Sequence, residues 1–198
     1  MSTRIGLFGG CFNPVHRGHI AVARAARAHL GLDKVLFIPS GHPPLKGDEG
    51  LLAGEERLAM LRLALAEEAG MDACDIEIGR AGPSYTVDTV RAFWRELPDD
   101  AEMFFLLGSD CLGRLPRWKG IDELHRMLRF AVVQRAGEER PLVDPRLLAL
   151  PCDAGPVSST LIRERLARGE SVDDLVHRAV AARLAARRHY AAPDRVGA

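Results

Sequence analysis

Apolar and polar residues alternate along this chain in a repeated strand-then-helix order. Short, nearly continuous apolar runs, typical of strands covered on both faces, occupy residues 5–8, 35–38, 104–107 and 130–133, with a weaker run near 75–78. Helical periodicity occupies about 17–30, 55–69, 86–97, 120–127 and 160–190. Gly70 is placed to cap the second helix, and Gly169 and Ser171 mark a break in the last section. The alternation predicts an α/β fold, a doubly wound domain with a mostly parallel sheet and a small C-terminal helical section.

The length of the chain, 198 residues, suits one domain with a core that needs neither disulfides nor metals. We find no internal repeat and no linker long enough to divide the chain. We therefore expect a single domain over residues 1–198, ending in a helical section at about 160–190 and a loose tail at 191–198. In open α/β sheets, ligands bind beyond the carboxyl ends of the strands, so the residues that follow each apolar run are candidate site residues.

Charge and cysteine content limit the classes of partner and the cellular compartment that we expect. Lys plus Arg and Asp plus Glu number 27 each, whereas proteins that bind duplex DNA usually carry a basic excess. No apolar run approaches the length of a membrane span, and residues 5–8 are too short for a secretory signal. The four cysteines, which lie far apart without metal or redox spacing, are Cys11, Cys74, Cys111 and Cys152. We expect a cytoplasmic protein that binds neither nucleic acid nor membrane, although a small phosphorylated ligand remains compatible with this balance.

The loop after the first strand carries unusual residues in the stretch GLFGGCFNPVHRGHI, residues 6–20. Gly9 and Gly10 allow the backbone to approach a ligand or to adopt a positive φ. Pro14 can fix the entry of the chain into the helix. His16 and His19 lie three residues apart, so that at a helix start they project on one side. Imidazoles beside a helix N-terminus can donate hydrogen bonds to phosphate oxygens.

Three other kinds of binding site can be compared with this loop, and the sequence matches none of them fully. A Walker A loop would need a Gly-Lys-Ser/Thr ending, which is missing, and the glycines at 6, 9 and 10 do not fit the dinucleotide GxGxxG turn. A zinc site could use the two histidines, but no third ligand is evident nearby. Two surface histidines on a glycine-rich turn remain a further alternative.

A second informative stretch lies near the C-terminus, GPVSSTLIRERL, residues 155–166. Any of Ser158, Ser159 and Thr160 could cap the helix that follows. Arg163 in the first helical turn opposes the helix dipole at a cost of a few tenths of a kcal/mol, roughly, and an anion resting on the same amides would reverse that cost. The stretch is therefore either a polyphosphate cradle or an ordinary capped helix.

The two stretches together, as GGCFNPVHRGH and SSTLIR, resemble the two signature motifs of the HxGH nucleotidyltransferases. Within that superfamily the chain is most similar to the bacterial nicotinate-nucleotide adenylyltransferase family, from residue 5 to about 176. The intermediate segments that support this choice are PSGHPPLK (39–46), PSYTVDTV (83–90), LLGSD (106–110), Trp118 and VVQR (132–135). The resemblance implies a Rossmann-like nucleotidyltransferase domain. It also implies that the phosphate of nicotinate mononucleotide attacks the α-phosphorus of ATP, which gives deamido-NAD and pyrophosphate.

Roles for individual residues also follow from the resemblance. It implies an ATP site formed by Gly9, Gly10, Phe12, His16, His19, Gly108, Asp110, Ser158, Ser159, Thr160 and Arg163. The implied catalytic residues are His16, His19 and Arg163, of which the histidines stabilise charge at the α-phosphorus and the arginine helps to hold the departing phosphates. Mg²⁺ is expected to bridge the ATP phosphates and to keep most of its water, without a protein cage.

On the acceptor side, the resemblance implies that Thr86 binds the pyridine through its backbone and that Trp118 stacks on it. Lys46 and Arg135 correspond to phosphate partners of the mononucleotide. Leu45 departs from the family, whose loop usually reads PPHK, and His42 lies three residues earlier. We expect Leu45→His to raise activity with nicotinate mononucleotide or to leave it unchanged.

Two alternatives to this function stay open at the level of sequence. An adenylyltransferase for nicotinamide mononucleotide, or for another phosphorylated acceptor, would keep the same chemistry. A nucleotide-binding sensor would keep the fold without catalysis; Leu45 favours it, whereas the intact histidine pair and Arg163 weigh against it. The sequence predicts no particular oligomeric state.

Overall fold

The computed structural model describes residues 2–43, 50–134, 142 and 144–191. Its strands are β1 (Arg4–Gly10), β2 (Lys34–Pro39), β3 (Met71–Ala73), β4 (Glu102–Gly108), β5 (Arg129–Gln134) and β6 (Leu147–Pro151). Its α-helices are α1 (Arg17–Leu30), α2 (Gly54–Leu65), α3 (Thr86–Trp94), α4 (Ile121–Met127), α5 (Ser159–Ala167) and α6 (Arg178–Ala186). A 3₁₀ helix, Ser109–Arg117, follows β4.

The strands form one sheet in the order β3-β2-β1-β4-β5-β6, and every neighbouring pair is parallel. The order reverses at β1, which pairs with β2 on one side and with β4 on the other. This reversal is the topological switch point at which doubly wound sheets bind ligands, because loops leave the two strands in opposite directions and open a crevice. The predicted α/β class and the doubly wound arrangement are confirmed.

Helices cover both faces of the sheet. On one face α1, α2, α5 and α6 pack on alternate strand residues that include Phe104 and Leu106. On the other face α3, α4 and the 3₁₀ helix pack on the intervening residues, among them Phe105 and Leu107. Each fully buried side chain of this size contributes roughly 1.5–3 kcal/mol through burial. The near-continuous apolar runs of the central strands reflect this two-sided covering.

The edges of the sheet differ from the prediction. The prediction of a weak strand near 75–78 is wrong. The edge strand β3 lies earlier in the chain, and residues 75–78 form a turn in which the amide of Ile78 donates to the carbonyl of Asp75 (2.8 Å). The sequence pattern does not predict β6, in which Leu150 is fully buried and Ala149 is exposed. Short edge strands bury few side chains and so leave a weak apolar pattern.

Helix ends also differ in part from the prediction. The helix expected at 17–30 is confirmed by α1, whereas α2 ends at Leu65 and α3 at Trp94, earlier than expected. Gly70 has a left-handed φ of 71°, but it turns the chain into β3 rather than capping α2. Gly169, with φ of 72°, lies in the predicted break between α5 and α6. The expected tail lies outside the described residues except for Ala191.

Within the described part of the chain, no helix is long and apolar enough to cross a membrane.

Candidate active site

A cleft of about 660 Å³ opens at the carboxyl ends of β1 and β4, at the switch point of the sheet. Its lining includes every residue predicted for the ATP site: Gly9, Gly10, Phe12, His16, His19, Gly108, Asp110, Ser158, Ser159, Thr160 and Arg163. Asn13 and Cys11 also line it. The fold therefore brings the two signature stretches to one place, although their part in binding ATP stays a prediction.

The two glycines that end β1 pack closely against aromatic rings. A Cβ at Gly9 would lie 2.8 Å from Cζ of Phe105, and one at Gly10 would lie 3.2 Å from Cζ of Phe12. The positive φ that the sequence suggests in this loop occurs at Phe12 instead, at 47°. Phe12 is buried and its ring lies edge-on to Phe8, with centroids 5.5 Å apart. Aromatic packing therefore fixes the shape of the loop below the cleft.

The two histidines form a compact pair at the start of α1. The ring of His16 stacks on that of His19 with centroids 3.6 Å apart. The backbone amide of His16, the N-cap residue, donates to Nδ1 of His19 (3.2 Å). Because Nδ1 accepts a hydrogen bond, the proton of the neutral ring lies on Nε2, which makes that atom a hydrogen-bond donor. His19 also lies edge-on to Phe12 (4.9 Å between centroids), so its ring is held on two sides.

Helix α5 is tied directly to the loop that carries the histidines. Ser158 is its N-cap, and its Oγ accepts from the amide of Leu161 (3.1 Å). Oγ of Ser159 donates to the carbonyl of Pro14 (2.9 Å). The guanidinium of Arg163 donates to the carbonyl of Asn13 (2.9 Å) and to Oγ1 of Thr160 (3.1 Å). The cation and the amides of the first turn of α5 therefore face the same cleft as the histidine pair.

Sequence reasoning missed Arg57, which supports this loop from below. The side chain of Arg57 is 1% exposed and donates to three backbone carbonyls, of Leu52 (2.8 Å), Cys11 (2.8 Å) and Ser40 (2.6 Å). It therefore joins the loops that follow β1 and β2. The signal that could have revealed it is an arginine on the apolar face of α2, in register with Leu61.

Asn13 was missed as well, and it links three segments. Its Nδ2 donates to the carbonyl of Gly50 (2.9 Å), and its Oδ1 accepts from the amide of Leu52 (3.1 Å). The hydroxyl group of Tyr190 donates to the same Oδ1. Burial raises the pKa of Tyr190 well above its usual range, so the hydroxyl keeps its proton as a donor. No local pattern in the sequence points to a contact between Asn13 and Tyr190.

Thr86 and Trp118, the described residues of the predicted acceptor site, lie outside this cleft lining. Thr86 begins α3, and Trp118 follows the 3₁₀ helix, edge-on to Phe105 with centroids 5.5 Å apart. The segment after Trp118 packs on the start of α3, since Nζ of Lys119 lies 4.3 Å from the ring centre of Tyr85. Thr86 and Trp118 therefore stand on adjoining elements. The other predicted acceptor residues, Lys46 and Arg135, and the divergent Leu45 lie outside the described residues.

A buried carboxyl group lies beside α3, which carries a predicted acceptor residue. Oε1 of Glu77 accepts from Oγ1 of Thr89 (2.8 Å), and burial raises the pKa of Glu77. Oγ of Ser84 accepts from the amides of Gly41 (3.1 Å) and His42 (3.2 Å), which follow β2. A Cβ at Gly41 would lie 2.2 Å from the carbonyl oxygen of Glu77. The loop after β2 therefore rests directly on residues 77–84.

No group of three or more His, Cys, Asp or Glu side chains that could hold a metal ion occurs among the described residues. Asp110, with a side chain 71% exposed, is the only carboxylate in the lining of the described cleft. One exposed carboxylate fits a hydrated Mg²⁺ that is bound mainly by phosphate oxygens. All four cysteines are free thiols.

Comparison with known proteins agrees with this geometry. The model of the cytidylyltransferase-like family matches residues 7–165. A protein of Shouchella clausii named "Probable nicotinate-nucleotide adenylyltransferase" is 44% identical over 89% of this chain and 91% of its own. A protein of the same name from Gloeobacter violaceus is 41% identical over 86% of this chain and 87% of its own. In fold, the chain is similar to Plasmodium falciparum nicotinic acid mononucleotide adenylyltransferase complexed with NaAD, with a TM-score of 0.78, 16% identity, and coverage of 95% and 97% of the two chains.

Proposed function

This chain belongs to the nicotinate-nucleotide adenylyltransferase family, and we propose that it transfers the adenylyl group of ATP to nicotinate mononucleotide, with deamido-NAD and pyrophosphate as products. The observation that carries the proposal is the cleft at the switch point. There the stacked pair His16 and His19 faces the first turn of α5 and Arg163 across one space. Such a set of donors suits a triphosphate, whose charge is spread along three phosphorus atoms.

The donor half of the reaction follows from this arrangement. The β- and γ-phosphates lie at the start of α5, where the amides, the hydroxyl groups of Ser159 and Thr160, and Arg163 supply donors. The α-phosphate lies beside His16 and His19, and the Nε2 proton of His19 stabilises the charge that grows on its oxygens. Donors fixed before the reaction need no reorganisation as charge develops.

The acceptor supplies the nucleophile from its own phosphate. One oxygen of that phosphate forms a bond to the α-phosphorus, the bond from the α-phosphorus to the bridging oxygen breaks, and the electron pair leaves with pyrophosphate. No covalent enzyme intermediate is needed, so the protein contributes positioning and charge stabilisation. We propose that Trp118 and the backbone of Thr86 hold the pyridine and that Lys46 and Arg135 hold the acceptor phosphate.

Magnesium, when bound with ATP, neutralises phosphate charge and orients the triphosphate. We propose that the phosphates and water supply most of its ligands, with Asp110 at the rim of the cleft. Four free thiols fit a reducing compartment, and we propose that the protein acts in the cytoplasm as a single domain.

Pyrophosphate release by the purified protein with ATP and magnesium tests the proposal. Nicotinate mononucleotide and nicotinamide mononucleotide are offered in separate reactions, and we expect a strong preference for the acid. Equal rates would instead indicate a dual-specificity adenylyltransferase. No release with either acceptor, together with retained ATP binding, would contradict the proposal and favour a nucleotide-binding sensor or a different acceptor.

A further inference from the structure

Tyr190 lies just beyond the last helix, far along the chain from the loop that carries the histidines. Even so, its hydroxyl group donates to Oδ1 of Asn13, 177 positions away in sequence. Its backbone has a φ of 64°, in the left-handed region that aromatic residues rarely adopt. Arg188, two residues earlier, has a φ of 49°. Such a conformation persists only where the surroundings over-determine it, and it is concentrated at functional sites.

The surroundings that hold Tyr190 are well defined. Its ring packs on the hydrophobic core formed with α6 and α2. The preceding His189 contacts Glu56 of α2 through Nε2 (3.0 Å to Oε1), and Arg183 of α6 donates to the same carboxylate (2.6 and 2.8 Å). The segment before Tyr190 is therefore held to α2 at two residues. The packing of the ring on the core places the tyrosine hydroxyl at Asn13.

Asn13 links the Tyr190 hydroxyl group to residues that line the cleft. Its backbone carbonyl accepts from Arg163, and its side chain binds the backbone at Gly50 and Leu52. The side-chain Oδ1 thus receives two donors, the amide of Leu52 and the hydroxyl of Tyr190. Loss of the hydroxyl leaves the amide of Leu52 as the only donor in this set, so the side chain of Asn13 becomes less restrained. The carbonyl that holds Arg163 belongs to the same residue.

We infer that Tyr190 is a positioning residue for adenylyl transfer, because it orients Asn13 and thereby holds the loop of His16 and the guanidinium of Arg163 in their reactive arrangement. This inference rests on the proposed function. The tyrosine does not line the cleft and acts only through Asn13. Small displacements of groups that are positioned in this way reduce turnover more than they reduce stability.

The variant Tyr190→Phe removes the hydroxyl group and keeps the ring. We expect kcat to fall about fivefold, the size of effect that one hydrogen bond supports, with a KM for the acceptor that stays within about twofold. The matched control is Leu184→Val, which removes one methylene from the buried core beside α6 and keeps the Tyr190 hydroxyl and the Asn13 side chain. It should lower the melting temperature at least as much as Tyr190→Phe and leave kcat within about twofold. Equal losses of kcat in both variants, or an unchanged kcat in Tyr190→Phe, would overturn the inference.

A double-mutant cycle with Asn13→Ala tests the route of action. If Tyr190 acts through Asn13, the tyrosine substitution has no further effect on kcat in the Asn13→Ala background, whereas additive losses contradict the inference. Hydrogen exchange at the amide of Leu52, followed by NMR, adds a readout that needs no turnover, and we expect faster exchange in Tyr190→Phe. If the wild-type protein fails to use nicotinate mononucleotide, the proposed function fails. In that case the inference is tested without turnover, by comparing the exchange rate at the Leu52 amide and the ATP affinity, measured by calorimetry, between Tyr190→Phe and the wild-type protein.

Discussion

The proposed donor half and the proposed acceptor half of the site are built in different ways. The donor half is made of two stretches that lie next to each other at the switch point of the sheet, and α5 is bonded to the loop after β1 through Ser159 and Arg163. In the proposed acceptor half, Thr86 and Trp118 stand on separate elements, and the loop after β2 contacts Ser84, just before α3. Direct clamping suits phosphates, whose charge must be met by donors at fixed positions.

The largest fall in kcat should come from a substitution in the donor half. His19→Ala removes a donor aimed at the developing charge, and we expect kcat to fall by about 10² or more with the fold retained. The matched control is His29→Ala, an exposed histidine on the same helix, for which we expect a normal rate. Steady-state pyrophosphate release gives kcat, and circular dichroism checks the fold. Near-normal turnover in His19→Ala would remove the histidine from its proposed role.

Substitutions in the acceptor half should change the KM for nicotinate mononucleotide more than they change kcat. Trp118→Ala removes the ring proposed to stack on the pyridine, and we expect the KM for nicotinate mononucleotide to rise about tenfold while that for ATP stays within about twofold. Trp118→Phe keeps an aromatic face and should give an intermediate KM. Because Trp118 also packs on Phe105, the melting temperature of both variants must be recorded. An equal rise in both KM values would show that the ring acts on the whole fold rather than on the acceptor.

Within the donor half, the residues that line the cleft and those that support them differ in how far the sequence predicts them. The convergence of His16, His19 and Arg163 on one cleft was predictable because each lies close to a helix start that follows a strand of the sheet. The position of Arg57 on the apolar face of α2 indicates burial, but its partner Cys11 lies 46 residues away and is not predictable from that position. The contact of Tyr190 with Asn13, 177 residues apart, leaves no local pattern at all.

The same contrast applies to the fold. The central strands β1, β4 and β5 are covered on both faces and give clear apolar runs, so the sheet and its class follow from the pattern. The edge strands β3 and β6 bury few residues, and their positions were either misplaced or missed. A doubly wound sheet nevertheless specifies where its cleft lies, and the site could therefore be located without its edges.

A smaller rise in the acceptor KM is expected when the loop after β2 is displaced and Trp118 is kept. In Gly41→Ala, the added Cβ meets the carbonyl of Glu77 at 2.2 Å, so the loop after β2 must move. We expect the acceptor KM to rise about three- to fivefold, as a strain of about 1 kcal/mol implies. In Gly79→Ala, the added Cβ has nothing within 4 Å, which makes it the matched control. Equal KM values for the two variants would mean that the loop position does not affect acceptor binding.

The smallest effect on activity should come from Glu56, which anchors α6 to α2 outside both halves. Its hydrogen bonds with Arg183 hold the pKa of the Glu56 carboxyl at about 2, below its ordinary value of 4.5, and His189 and Arg187 add to the same shift. The charged form is therefore stabilised in the folded protein. Its contribution to the free energy of unfolding is complete above pH 4.5 and is lost as the pH falls towards 2.

Glu56→Gln should therefore lower the free energy of unfolding by urea at pH 7, and the deficit relative to the wild-type protein should shrink steadily between pH 4.5 and about 2. Glu55→Gln, at the exposed neighbouring position, should show a deficit near zero throughout. We expect kcat at pH 7 to stay within about twofold, because Tyr190 keeps its hydroxyl bond to Asn13 when the ion pair is weakened. A deficit that is constant across this pH range would mean that packing, rather than the charge on Glu56, fastens α6. A large loss of kcat would show that the anchor of α6 and the orientation of Asn13 form one unit, and the donor half would then extend to the surface of α6.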